Sequence, residues 1–179
     1  MYIIQTMKVL IFITIIKKIF LCFRKWDFAV SVLLSLGQEF FQTGDEETPN
    51  EAGLAYYDDL FQDMLDKGME PVVTISHYEM PLHLVQKYEG WANRKLIDFY
   101  LRFCEVIFKR YKGKVKYWMT FNEINSVILM PEIAGVLDRT KDDFQTRSYQ
   151  AAHHQFVASA KQSLWDIRLI LKIKLDVWC

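Results

Sequence analysis

Two stretches between Asn50 and Tyr111 carry a helical period, and two shorter apolar runs beside them have the length of strands. From Asn50, the residues Leu54, Tyr57, Phe61, Met64 and Leu65 recur at helical spacing, while Asp58, Asp59, Asp63 and Asp66 fall mostly on the other side. Asn50 is placed to cap this helix, Glu51 sits in its first turn, and Gly68 is placed to end it. A second stripe, Leu96, Ile97, Tyr100, Leu101, Cys104, Ile107, Phe108 and Tyr111, follows a candidate cap at Asn93. Lys109, Arg110 and Lys112 suit its C-terminal dipole, and Gly113 stops it. Pro71–Ser76 and Val115–Phe121 read as strands, the second with both faces covered. The segment from His77 to Trp91 is predicted as a loop, and Ser126–Arg147 as irregular. A last helix is predicted from near Ser148, with Tyr149, Ala152, Phe156 and Ala160 on one side. Strands alternating with helices predict β/α units on a parallel sheet.

The ends of the chain break this pattern. From Met1 to Gln42 the only acids are Asp27 and Glu39, in text rich in Ile, Leu, Phe and Val. Met7 and Lys8 followed by Val9–Ile16 look like a signal peptide or short anchor. Lys17 and Lys18 interrupt the run well short of the ~20 residues that a membrane span needs. After Gln162 the tail again loses the helical character of the middle.

The whole chain has 179 residues and equal numbers of acidic and basic side chains, 22 of each. That length points to one domain. The balanced charge gives no support for nucleic acid as a partner. Cys22, Cys104 and Cys179 have neither metal nor redox spacing, and a reduced, cytoplasmic setting is the simplest expectation. His153 and His154 are adjacent on a predicted helix and point in different directions, so no metal site is expected there. No glycine-rich phosphate loop is present.

The candidate chemistry lies where the second strand ends, at Asn122, Glu123 and Asn125. In a parallel α/β barrel the carboxyl end of a strand carries the active residues. Taken alone, a strand-end Glu is more often a solvated residue than an acid. The wording around it reverses that weighting. Thr120-Phe121-Asn122-Glu123-Ile124-Asn125 resembles the T-F/L-N-E-P/I motif of glycoside hydrolase family 1. Ser76-His77-Tyr78-Glu79-Met80-Pro81 resembles the same family's H-W/F-D/E-x-P strand end, and Asn50–Leu54 and Gly90-Trp91 match in order. The H-F/Y-E-M-P-x-H-L-V form is typical of the 6-phospho-β-glucosidase branch. The resemblance runs from about Thr43 to Lys161.

The resemblance implies a fold, a site and an activity. The fold is a (β/α)8 TIM barrel, of which a chain this short can hold only a part, about strands 3 and 4 with their flanking helices. Glu123 takes the place of the catalytic acid/base, Asn122 of the residue that binds the sugar 2-hydroxyl, and His77 of the histidine that contacts the glycone. Glu79 and His83 are expected to be local hydrogen-bond partners, and Trp91 either packs under its loop or touches sugar. A walled pocket at the strand end is expected to raise the pKa of Glu123, as an acid requires. The implied reaction is retaining hydrolysis of β-glucosides, in particular 6-phospho-β-glucosides, with no cofactor. The family's second Glu, the nucleophile, would lie beyond residue 179, so the chain by itself is expected to be inactive. A plain β-glucosidase, a 6-phospho-β-galactosidase and a membrane-anchored sugar-binding module held by residues 7–23 are the alternatives.

The family wording also suggests why the ends differ. Codons can be chosen for Met7–Lys18 that, read two bases later, spell E-G-I-D-F-Y-H-H-Y-K-E. In the same shifted frame Leu36–Gln42 can spell W-S-R-I-F-P. With one base restored, Gln162–Val177 can spell A-V-I-V-G-H-K-I-N-P-E-N-K-I-G-C. The expectation is that residues 1–42 and 162–179 are out-of-frame text flanking a partial barrel domain at residues 43–161.

Overall fold

A computed structural model describes residues 31–33, 41–135, 138–140 and 142–176, with side chains placed from residue 41 to residue 164. Three parallel strands form one sheet in chain order, β1 (Ser31–Leu33), β2 (Val72–Ser76) and β3 (Tyr117–Phe121). Helix α1 (Glu51–Asp66) connects β1 to β2, and α3 (Lys95–Arg110) connects β2 to β3. Between β2 and α3 lie α2 (Leu82–Tyr88) and a 3-10 turn (Gly90–Ala92). After β3 come α4 (Ser126–Leu129), α5 (Pro131–Ala134) and the long helix α6 (Phe144–Asp176). Parallel neighbours in sequence order, each crossover a helix, are the repeating unit of an α/β barrel.

Local chemistry sets the ends of α1 as its sequence predicts. Asn50 Oδ1 accepts from the Ala52 amide at 3.1 Å. At the other end Gly68 takes φ +74°, its N–H donates to the Leu65 carbonyl, and the Met69 N–H donates to that of Met64. A positive φ there suits glycine, and the two bonds satisfy carbonyls that the helix itself leaves open. Asn93 Oδ1 accepts from the Lys95 amide at 3.0 Å and starts α3.

The core lies between the sheet and these helices. Leu54, Tyr57, Phe61 and Met64 of α1 are buried, as are Leu96, Ile97, Tyr100, Cys104 and Ile107 of α3 and Tyr111 just beyond it. Tyr111 stands edge-on to Phe61 at 4.9 Å and donates its hydroxyl to the Leu54 carbonyl at 2.9 Å. Leu60 and Phe103 join the buried set, while Leu65, Leu101 and Phe108 sit at its margin. Cys104 is enclosed, and burial pushes its thiol well above the ordinary range.

Three expectations are corrected. The segment after His77 is not an open loop: α2 occupies its middle, pinned by the buried Leu84. Loop Thr43–Glu46 holds it there through Asp45, whose carboxylate receives His83 at 3.1 Å, Lys87 at 2.8 Å and Tyr88 at 3.0 Å. Second, β3 is covered on one face only. Trp118 packs on Phe108 of α3, but Tyr117 and Met119, which point the other way, are 57% and 43% exposed. Beyond β3 the sheet has no further strand among the described residues.

Third, α6 begins at Phe144 and buries a different face from the one predicted. Tyr149 and Phe156 are 55% and 52% exposed, and Ala160 is exposed too. Of the predicted side only Ala152 is buried, and Ser148, Ala151, His154, Gln155 and Ala158 are buried with it. Small side chains let the helix approach α3 and the 3-10 turn. Two of its large buried polar groups meet main-chain acceptors: His154 Nδ1 donates to the Trp91 carbonyl at 2.8 Å and Gln155 Nε2 to that of Ala134 at 3.0 Å.

The anchor-like run at residues 7–23, most of the expected out-of-frame segment 1–42 and the last three residues of the segment 162–179 lie outside the described residues. Within those segments, β1 and the backbone of α6 to Asp176 are described. Among the described residues no helix is long and apolar enough to cross a membrane.

Candidate active site

Strands β2 and β3 end level with each other. Ser76 is the register partner of Phe121, and the Asn122 N–H extends the ladder by donating to the Ser76 carbonyl at 2.8 Å. His77 and Tyr78 therefore leave the sheet beside Asn122 and Glu123, at the carboxyl end of a parallel sheet. Both chains turn sharply there: Tyr78 has φ +75° and Glu123 φ +39°. Left-handed backbone at bulky residues costs about 1–3 kcal/mol each, and such strain gathers at functional sites.

The side chains meet on one phenol. Tyr78 Oη donates to Glu123 Oε2 at 2.6 Å and accepts from Asn122 Nδ2 at 3.0 Å. Ser126, at the start of α4, adds a second donor to Glu123 Oε2 at 3.2 Å, and its amide donates to the Glu123 carbonyl at 2.7 Å. His77 stands beside Tyr78, with ring centroids 5.0 Å apart. The three residues expected from the sequence, His77, Asn122 and Glu123, thus share one corner of the fold. Tyr78 and Ser126 are additions. Tyr78 lay inside the His77 motif, but only the backbone turn reveals that its hydroxyl reaches across to the next strand.

The electrostatics differ from expectation. Glu123 is exposed, and its carboxyl is held below the ordinary range, first by the Tyr78 hydrogen bond, then by Ser126, with the charge of His77 acting in the same direction. The hydroxyl donors stabilise the carboxylate and outweigh the desolvation that opposes them. A raised value needs either burial or a second carboxylate nearby. Among the described residues no other carboxylate joins this hydrogen-bond network.

Trp91 is buried and stands edge-on to Tyr100 at 5.9 Å and to Phe121 at 5.4 Å, so it packs beneath its loop. His83 bonds Asp45, as expected for a local partner, whereas Glu79 is exposed. On the helix side of β2 an apolar cavity opens between Phe41, Ile75, Leu84, Phe99 and Phe103, with His77 and Glu79 also in its lining. Among the described residues no cluster of three or more His, Cys, Asp or Glu side chains could hold a metal. His154 is committed to the Trp91 carbonyl and to Gln150.

A parallel sheet with a Glu–Asn pair at one strand end and a His at the next is the arrangement that the two motifs require of a glycosidase. The model of glycosyl hydrolase family 1 matches residues 35–167, and the chain belongs to that family. Relatives narrow the comparison. The aryl-phospho-beta-D-glucosidase BglH of Bacillus subtilis (strain 168) is 60% identical over 121 residues, covering 67% of this chain and 26% of that protein. The 6-phospho-beta-glucosidase of Clostridium longisporum is 48% identical over 139 residues, covering 77% of this chain and 29% of that protein. The chain therefore spans about a quarter of the length of the curated relatives that it matches. A solved beta-glucosidase from Thermotoga maritima in complex with glucoimidazole superposes with a TM-score of 0.70 at 28% identity, covering 82% of this chain and 33% of that one. The solved family 1 neighbours are TIM barrels.

Proposed function

We propose that this chain carries the acid/base side of a retaining β-glycosidase site that takes 6-phospho-β-glucosides. The observation that supports it is the meeting of His77 with Asn122 and Glu123 at the ends of two neighbouring parallel strands. On this reading β2 and β3 are strands 3 and 4 of a (β/α)8 barrel. Glu123 gives its proton to the glycosidic oxygen as the bond to the anomeric carbon breaks and the second carboxylate that a retaining site requires bonds to that carbon, from which water later displaces it. As a carboxylate it then takes a proton from the water that releases the sugar. Asn122 holds the sugar 2-hydroxyl, where contacts strengthen in the transition state, and His77 contacts the glycone. The phosphate preference rests on the relatives' names, aryl-phospho-beta-D-glucosidase and 6-phospho-beta-glucosidase.

Retaining hydrolysis needs a second carboxyl group about 5–5.5 Å from the first. None joins Glu123 among the described residues, so the chain alone is expected to release no phenol from an aryl 6-phospho-β-glucoside. Turnover by the purified chain that is lost in Glu123→Gln would overturn this. The role of Glu123 is tested by grafting residues 43–161 into the Bacillus subtilis relative. There Glu123→Gln should cut kcat/KM about 10²–10⁴-fold on alkyl glycosides and much less on nitrophenyl glycosides, whose leaving group needs no proton. Equal losses on both would remove the acid role. Unphosphorylated glucosides and 6-phospho-β-galactosides in the same assay separate the substrate classes. The division of the chain at residues 42 and 162 is tested by sequencing the DNA across both boundaries: the family's wording is expected in another frame on the outer side of each, and its absence from every frame there would refute the division.

A further inference from the structure

The Glu123 carboxylate is held from the neighbouring strand as much as from its own. Tyr78 follows the end of β2, yet its hydroxyl lies 2.6 Å from Glu123 Oε2 and 3.0 Å from Asn122 Nδ2. We propose that Tyr78 is a positioning residue, whose phenol fixes Glu123 Oε1 as the oxygen that handles the proton and links that carboxylate to the sugar-binding amide of Asn122. This rests on the acid/base role given to Glu123 above and deepens it.

A phenol has one proton to give and lone pairs to accept. Here the proton goes to Glu123 Oε2, and a lone pair receives an Asn122 N–H. The bonds run one way, from amide to hydroxyl to carboxylate, so each polarises the next towards the negative charge. The 2.6 Å separation lies within the range of a hydroxyl bonded to an ionised carboxylate. Ser126 Oγ occupies the same carboxylate oxygen. Both bonds fall on Oε2 and Oε1 carries neither, so a proton arriving at Glu123 settles on Oε1 without breaking the network. On Asn122 the bond to Tyr78 orients the amide and leaves Oδ1 and one N–H for a ligand hydroxyl. The left-handed backbone of Tyr78 is what brings the phenol across, and an aromatic residue keeps such a backbone only where its surroundings over-determine it. A phenylalanine at this position would fill the same space and make neither bond.

The test uses the whole chain labelled with ¹³C at the Glu carboxyls, with the Glu123 signal assigned by its absence in Glu123→Gln. Tyr78→Phe should raise the proton affinity of Glu123 about tenfold or more, the loss of one hydrogen bond to a charged group. His77 also bears on Glu123 and is present in every variant, so it drops out of the comparison. An unchanged titration in a Tyr78→Phe protein that folds as the parent does overturns the proposal. A second measurement needs no change at Tyr78. Its ring ¹³Cζ signal should move with the midpoint of Glu123 in the parent chain and stay still across the same pH range in Glu123→Gln. A signal that moves alike in both, or in neither, also overturns it. Neither readout depends on turnover. If the coupling is found while the grafted domain shows no acid catalysis by Glu123, the proposed function fails and the Tyr78 linkage stands.

Discussion

Strands β2 and β3 are neighbours of equal length, both rich in apolar residues, and they live in different surroundings. Val73, Thr74 and Ile75 of β2 are all buried, with a strand on each side and helices on one face. In β3 the helix-facing Trp118 is packed, but Tyr117 and Met119 open to solvent. Sequence therefore reports what a strand is built to touch, and structure reports what it touches in this chain. In a complete barrel the face opposite the helices is filled by side chains from the other strands. The apolar character of Tyr117 and Met119 is explained by such an interior.

The contrast can be broken by a charge placed on each strand. Ile75→Asp should abolish cooperative unfolding, since an unpaired carboxylate cannot be buried there. Met119→Asp should change the unfolding free energy measured in urea by no more than about 0.5 kcal/mol, as at an ordinary surface position. Equal damage at both sites would mean that the open face is covered in solution. On the covered side, Gly44→Ala is the next largest effect. A Cβ there would lie 2.5 Å from Leu84 Cδ1, and φ is +87°. Overpacking and left-handed strain together should cost about 2–4 kcal/mol in the same measurement.

A smaller, pH-dependent effect sharpens the comparison at the clamp that holds α2 over β2. Lys87 beside Asp45, with help from Thr43, His83 and Tyr88, holds that carboxyl far below the ordinary range. A depressed folded value stabilises the fold above the unfolded value of about 3.9 and loses that contribution as pH falls below it. Asp45→Asn should therefore lower the melting temperature at pH 6, and the two proteins should converge as pH drops towards the folded value. A gap that stays constant with pH would show that the clamp acts by shape and not by charge. The smallest effect is expected at the solvent-facing i,i+4 pair Lys109–Glu105. Lys109→Ala should change thermal stability by no more than about 0.5 kcal/mol, and less in high salt.

How far the fold was legible follows the same division. The ends of α1, the stripe of α3 and the strand at Val72–Ser76 depend on local spacing and caps, and the sequence contains them. The buried face of α6 does not follow from hydrophobicity, because Ala151, Ala158, His154 and Gln155 are chosen for close approach and for waiting carbonyls. The larger Tyr149 and Phe156 misdirect the eye. At the site, His77, Asn122 and Glu123 were visible because their motifs are short and contiguous. Tyr78 was not, because its role depends on a backbone turn and on a residue 45 positions away. The acidity of Glu123 was misjudged for a related reason. The expectation assumed a walled pocket, and this corner supplies hydroxyl donors instead.

The enclosed thiol of Cys104 has a practical consequence. Alkylating reagents attack the thiolate, and burial both hides this sulfur and suppresses its ionisation. Modification must wait until α3 lifts from the sheet, so its rate counts how often the core opens. Mass mapping of the peptide that holds Cys104 turns one side chain into a stopwatch for that opening.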